Sequence, residues 1–308
     1  MALFNHYRPK FSELLTSDKF ITSAELTPPR HFDLTKFMEH ARIINEYVDV
    51  VQINDHLLSR ARMSNMIPAM LCKNAGMEPI LQFTLRHKNR IALQGDLLAF
   101  ANLGLENVII LGGYPCAIGT DPTAKDASDM GSVEAIEKIV ELSEYGKMFN
   151  GDIIKPAPTF CVGTIDFPCS PEKIAESFAR LEKKIEAGAK YIQVQAVFEL
   201  APMELWMKEV VRRGLHKKAR FIGAIFPFSG AERLHILKEI PGLSIPQRLL
   251  ERIESNNSES ESLAVTLELI NGIKAMEGIS GLHIRSIGAE DWVPRLITAA
   301  GLGGELVY

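Results

Sequence analysis

The chain has 308 residues, 46% hydrophobic and 23% charged, with a formal net charge of -4. A sizeable core is available, and the mild acidity excludes the basic footprint that nucleic-acid binding usually needs. The start, MALFNHYRPKF, has no apolar signal region, and no apolar run reaches membrane-spanning length. Cys72, Cys116, Cys161 and Cys169 form no C-x-x-C pair and no disulfide framework, so the expectation is a reduced cytoplasm and no membrane.

Strands are expected where short apolar runs precede helical periodicity. The first, at 20–25, stops hard at Thr27-Pro28-Pro29. Leu34, Phe37, Met38, Ala41 and Ile44 then recur at helical spacing. The second strand is read at 48–53, the third at 79–84 and the fourth at 107–111. Gly112 to Gly131 follows as a long irregular segment rich in Gly, Pro and Asp. A fifth strand at 159–163 leads to a helix with Ser170 as N-cap and Pro171 at its first position. The sixth is read at 190–195, the seventh at 219–225 and the eighth at 281–286. The polar run 255–262 reads as a solvated connection.

Eight strand–helix units close into a single (β/α)8 TIM barrel, taken as one domain over 1–308. An open doubly wound sheet is the weaker alternative, because no strand is followed by G-x-G-x-x-G. In a barrel the chemistry belongs at the C-terminal ends of the strands. Those positions hold Glu25, Asn54, Asp55, Gln82, Thr84, the Gly112-Gly113 pair, Asp166, Gln195 and Ser286. The long segment after strand four lies on the same face.

Glu25 ends an apolar strand beside Leu26, Pro28 and Pro29. In a dry pocket its pKa would rise, which suits a general acid. The other reading is a carboxylate paired with a nearby arginine. Gln195 offers a donor and an acceptor on one amide, matching a pterin or flavin edge, or it is satisfied by a neighbour inside the barrel. Arg86, Lys88, Asn89 and Arg90 read as a solvated helix start or as partners for a phosphate or glutamate tail. Lys184 reads as a surface lysine. There is no H-E-x-x-H, P-loop, G-x-S-x-G elbow or Cys/His metal spacing. A barrel without these is expected to supply a cleft and an acid, with an organic cofactor carrying the chemistry.

Five segments, in order, resemble methylenetetrahydrofolate reductases. They are AELTPPR, LQFTLRHKNRIALQGDLLAFANLGLENVIIL, RLEKKIEAGAKYIQVQAVFEL, FIGAIFPFSGAERLHIL with PGLSIPQRLLERI, and GLHIRSIGAEDWVPRLITAAGL. The resemblance implies a flavin, usually FAD with FMN as the alternative, lying across the strand ends. Hydride would pass from NADH or NADPH through the flavin to a tetrahydrofolate-linked one-carbon unit, interconverting 5,10-methylenetetrahydrofolate and 5-methyltetrahydrofolate in a direction left open. It implies Glu25 as catalytic residue, favouring protonation of the folate N10. Gln195, Phe228 and Arg233 are implied as substrate contacts. Asn54, Gln82, Thr84, Gly113, Tyr114, Ser132 and Lys184 are implied around the cofactor. A homo-oligomer or a complex with a redox partner subunit is implied as well. Three departures stand out: where the family usually has Gly-Asp after strand four, this chain reads Gly112-Gly113-Tyr114-Pro115, the common Thr after strand two is Asn54, and an acidic position on the fifth helix is Ser177. A folate-binding paralogue with weakened or lost flavin chemistry is therefore the alternative function.

Overall fold

The computed structural model describes residues 8–168 and 173–303. Eight parallel strands close on themselves in chain order. They are β1 (Ile21–Leu26), β2 (Val50–Ile53), β3 (Pro79–Thr84), β4 (Asn107–Leu111), β5 (Cys161–Asp166), β6 (Tyr191–Val194), β7 (Arg220–Ile225) and β8 (Ile279–Ile284). β1 pairs with both β2 and β8, which completes the ring. The third and fourth strands lie at the bounds expected, and the other six within a few residues of them.

A short helix, α1 (Phe11–Leu14), precedes the barrel. The crossovers are α2 (Thr35–Asn45), α3 (Met66–Asn74), α4 (Arg90–Asn102), α5 (Ser132–Tyr145), α6 (Ile174–Glu186) and α7 (Leu200–Arg212). Three helices, α8 (Gly230–Lys238), α9 (Gln247–Ser255) and α10 (Glu259–Ala275), join β7 to β8, and α11 (Trp292–Ala299) follows. The polar run 255–262 is not simply a solvated connection. Ser258 accepts from the Glu261 N–H and so caps α10, using the serine preference for helix starts. The expected Ser170-Pro171 helix start lies outside the described residues.

Side chains alternate in and out along each strand, so the barrel interior fills in layers. The floor is apolar: Ile21, Val50, Ile80, Ile109, Tyr191 and Ile222 pack with Phe11 of α1. Phe11 meets Tyr191 edge to face, with ring centroids 4.8 Å apart, and closes the bottom of the barrel. Tyr191 fits because residue 163 is glycine; a Cβ there would lie 2.2 Å from the tyrosine ring. One step up each strand the interior turns polar, with Ser23, Gln52, Gln82, Gln193 and His283 buried. The next step reaches the site.

Candidate active site

The polar layer is a chain of satisfied amides. Gln82 Nε2 donates to Gln52 Oε1 at 3.0 Å, and Gln52 Nε2 donates to Gln193 Oε1 at 2.9 Å. Such a network fixes its members because each unmade bond inside the protein would cost a desolvation penalty. Beside it, Ser23 Oγ lies 2.8 Å from His283 Nδ1. The other ring nitrogen of His283 has no hydrogen-bond partner and points at Glu25, 3.6 Å away. Burial pushes the His283 pKa down against the pull of Glu25, which favours neutral imidazole.

Glu25 is fully buried at the end of β1. Arg285, just past β8, donates from Nε to Glu25 Oε2 at 3.1 Å. The register explains the meeting: Ala24 pairs with Ile284, so the next residue on each strand falls side by side. Gln82 Nε2 sits 3.5 Å from the other carboxylate oxygen, and Ser286 Oγ donates to the Glu25 carbonyl at 2.6 Å. Burial alone would raise the carboxyl, as expected for a dry pocket. The Arg285 charge, with His283 and the hydrogen bonds, outweighs burial and holds Glu25 at about 2. The acid expected at this position is thus an ionised carboxylate. The arginine-paired reading describes it, because a guanidinium within hydrogen-bond range favours the charged form more than burial disfavours it.

Arg285 also reaches Gln195, donating from Nη1 to Oε1 at 3.4 Å. Its guanidinium lies 5.1 Å from the Phe226 ring centroid. Burial pulls the Arg285 pKa down, and the Glu25 charge, with Tyr114 in hydrogen-bonding reach, outweighs it. Glu25, Gln195 and Tyr114 are thus joined through a residue that sequence reasoning passed over. The signal was present: Gly281 and His283 on β8 and Arg285 just past it alternate along the strand next to the one carrying Glu25.

The remaining expected substrate contacts lie beside this arc. Arg233 on α8 donates to the Ile287 carbonyl and sits 5.9 Å from the Phe226 centroid, so one ring carries two arginines. Phe228 is buried against Phe198 in a separate apolar cluster and does not face the mouth as an open surface.

The residues assigned to the cofactor are mostly spent on the protein. Lys184 donates to the Ile165 carbonyl at 2.7 Å and lies 3.2 Å from Asp166 Oδ2, so it is not a surface lysine. Burial lowers its pKa and Asp166 opposes that. Arg180 bonds the second Asp166 oxygen at 2.8 Å. Thr84 donates its N–H to Asp55 Oδ2 and its hydroxyl to the Asp55 carbonyl. Asn54 Nδ2 donates to Thr27, while its Oδ1 is enclosed without a partner. Gly113 has φ of +85°, and a Cβ there would stand 2.5 Å from Thr84. Tyr114 and Ser132 are half-buried, and Tyr114 lies within hydrogen-bonding reach of Arg285. As folded, Lys184, Thr84 and Gln82 spend their polar groups on the protein.

The segment 112–131 is latched to the loops after β2 and β3. Thr120 N–H donates to the Ser59 carbonyl, and Thr120 Oγ1 accepts from Ala61. Ser59 Oγ donates to the Tyr114 carbonyl. A Cβ on Gly119 would stand 2.0 Å from Ser59 O, so this approach needs glycine. His56, Leu58 and Ser59 all have left-handed backbone, an arrangement that costs energy and persists where neighbours over-determine it. The basic cluster after β3 does this holding. Arg86 bonds Asp126 and the Gly113 carbonyl, Arg90 bonds Asp129, Lys88 bonds Asp55 and Asp96, and Asn89 caps α4.

The described residues contain no group of metal-ligating side chains and no helix long and apolar enough to cross a membrane. A family model for methylenetetrahydrofolate reductase matches residues 10–301. The chain belongs to the methylenetetrahydrofolate reductase family. It is 21% identical over 95% of its length to a probable methylenetetrahydrofolate reductase (NADPH) of Caenorhabditis elegans, covering 44% of that protein. It is 23% identical over 79% of its length to methylenetetrahydrofolate reductase 2 of Schizosaccharomyces pombe, covering 39%. The chain thus spans less than half the length of these family members. A solved structure of an uncharacterised Clostridium thermocellum protein, described as binding two copies of 5-methyl-5,6,7,8-tetrahydrofolic acid, shares the barrel. That match has a TM-score of 0.64 and 16% identity, and covers 94% of this chain and 98% of that one.

Proposed function

We propose that this chain interconverts 5,10-methylenetetrahydrofolate and 5-methyltetrahydrofolate by hydride transfer, with a dihydronicotinamide as the hydride source. The observation that carries the reading is the joined set Glu25, Arg285 and Gln195 at the strand ends. Family membership and the folate bound by the structural relative support the substrate class.

The residues have distinct tasks in this reading. Gln195 meets the pterin edge through its amide. Glu25, held ionised, places negative charge where the ring-opened one-carbon unit becomes an iminium cation. Charge fixed in a water-poor site before the reaction stabilises the transition state most effectively. Hydride adds to the methylene carbon, and the C=N electron pair returns to N5. Because Glu25 holds no proton near neutral pH, it favours N10 protonation through its field, and the proton itself comes from solvent at the open end of the barrel.

The flavin implied by the resemblance, FAD or FMN, does not fit the side chains assigned to it. Lys184, Thr84 and Gln82 are already bonded within the protein. This observation favours a second reading, a folate-binding barrel that has lost hydride transfer. One experiment separates the two. Purified protein is given methylenetetrahydrofolate and NADH or NADPH, with and without added FAD, and 5-methyltetrahydrofolate is measured. Turnover without added or co-purified flavin supports the first reading. Turnover that requires flavin restores the flavin assignment. Tight folate binding without turnover under either condition leaves the second reading.

A further inference from the structure

Arg285 is placed to do more than neutralise Glu25. It sits on an arc of side chains running from β6 through β7 and β8 to β1, with Gln195 at one end and Glu25 at the other. A guanidinium carries five N–H donors in one plane. In the described contacts Nε makes one ordinary bond to Glu25, and Nη1 makes a long one, 3.4 Å, to Gln195. A contact at that length is readily exchanged for a better acceptor. The group lies 5.1 Å from the Phe226 ring centroid, and the same ring lies beside Arg233.

The second observation is the position of Tyr114. Where the resemblance leads one to expect a carboxylate after β4, this chain has either Tyr114 in its place or a loop one residue shorter, and Tyr114 lies within hydrogen-bonding reach of Arg285. A carboxylate selects the N–H groups of a pterin. A guanidinium selects its acceptors, and the exposed acceptor of the pyrimidinone edge is the C4 carbonyl. On this side of the mouth the protein offers donors where a carboxylate would offer acceptors.

We propose that Arg285 is a specificity-determining residue of the folate site. Its guanidinium leaves Gln195 and donates to the C4 carbonyl of the pterin, while Nε keeps Glu25 in place beneath the one-carbon unit. The released Gln195 amide then pairs with the neighbouring N–H of the same edge. This rests on the folate reading above and concerns binding only, so it is tested without turnover.

The probes are 5-methyltetrahydrofolate, folate and 4-amino-4-deoxyfolate, whose amino group turns the C4 acceptor into a donor. Affinities are measured by calorimetry at a pH where both rings are neutral. A site built to hydrogen-bond a substrate group rejects an analogue lacking it, so wild-type protein is expected to prefer folate over the 4-amino compound by at least about ten-fold. Arg285→Gln is expected to reduce that preference below about three-fold, and Arg285→Lys to retain part of it. A merely structural role would weaken both ligands together and leave their ratio unchanged. Because Arg285→Gln leaves Glu25 buried and unpaired, the double variant Glu25→Gln/Arg285→Gln, which removes both charges, is measured alongside. An unchanged ratio in these variants overturns the assignment of Arg285 alone. Failure of wild-type protein to bind 5-methyltetrahydrofolate overturns the folate reading, and this proposal with it.

Discussion

Arg285 and Glu25 form a buried ion pair across the seam where β8 meets β1, with Nε and Oε2 3.1 Å apart. Neither has much water to fall back on: the Glu25 side chain is 0% exposed and that of Arg285 9%. Removing one partner of such a pair leaves an uncompensated charge in the interior, at a cost of about 3–5 kcal/mol. Glu25→Gln and Arg285→Gln are therefore each expected to lower stability in urea unfolding by that order. The double variant should be more stable than either single one. Additive losses in the double-variant cycle would show that the two groups do not depend on each other.

The same pair sets a pH dependence. Glu25 ordinarily titrates near 4.5 and is held at about 2 in the folded protein. Its contribution to stability is present above the ordinary value and is lost as pH falls through 4.5 towards 2. Wild-type protein should lose stability over that window more steeply than Glu25→Gln, on the order of 3 kcal/mol. Parallel acid-unfolding curves for the two proteins would contradict this.

Catalysis should follow charge at Glu25 more than hydrogen-bonding capacity. Glu25→Gln keeps an amide of similar shape and is expected to lower kcat about 10²-fold or more. Affinity for 5-methyltetrahydrofolate should change far less, because Gln195 and Arg285 remain. Comparing kcat with the calorimetric Kd in one preparation checks this.

Lys184 is expected to behave as a structural residue. Lys184→Met removes a bond to the Ile165 carbonyl and one partner of the fully buried Asp166. A loss of about 3 kcal/mol in unfolding free energy is expected. Any capacity to bind added FAD should be unaffected in the folded fraction. Loss of FAD binding with full stability would instead make Lys184 a ligand contact.

Gly119→Ala tests the latch on segment 112–131. The added methyl meets the Ser59 carbonyl at 2.0 Å, a backbone atom that cannot swing away. The loops after β2 and β4 must then separate. Faster proteolytic cleavage within 112–131, with barrel secondary structure retained, is the expected result.

The barrel was legible because its signals are periodic. Val108, Ile109 and Ile110 read as a buried strand, and they are one. The helical spacing of Phe37, Ala41 and Ile44 marks residues that are buried against the sheet. Glu25 and Gln195 were legible as mouth residues because both end strands. What stayed hidden was pairing between distant positions. Arg285 lies 260 residues from Glu25, and only the closure of β8 onto β1 makes them neighbours. Burial of Lys184 was hidden for a related reason. Asp166 was visible as a strand end, but its capture of α6 through Lys184 and Arg180 depends on how that helix lies on the sheet. Resemblance alone placed Lys184 on a cofactor.

The Phe11–Tyr191 contact at the floor has a consequence for the chemistry far above it. With the bottom closed by aromatic rings, the layers beneath Glu25 are apolar and then amide-filled, and mobile ions have no approach from below. Screening at physiological salt acts over about 8 Å through solvent and reaches buried pairs only weakly. The rim pairs, such as Arg90 with Asp129, stand in solvent and fade as salt rises. The charge that Glu25 presents to a substrate should therefore be nearly the same in dilute buffer and in concentrated brine. The plug turns the barrel into an electrostatically insulated well, open at one end.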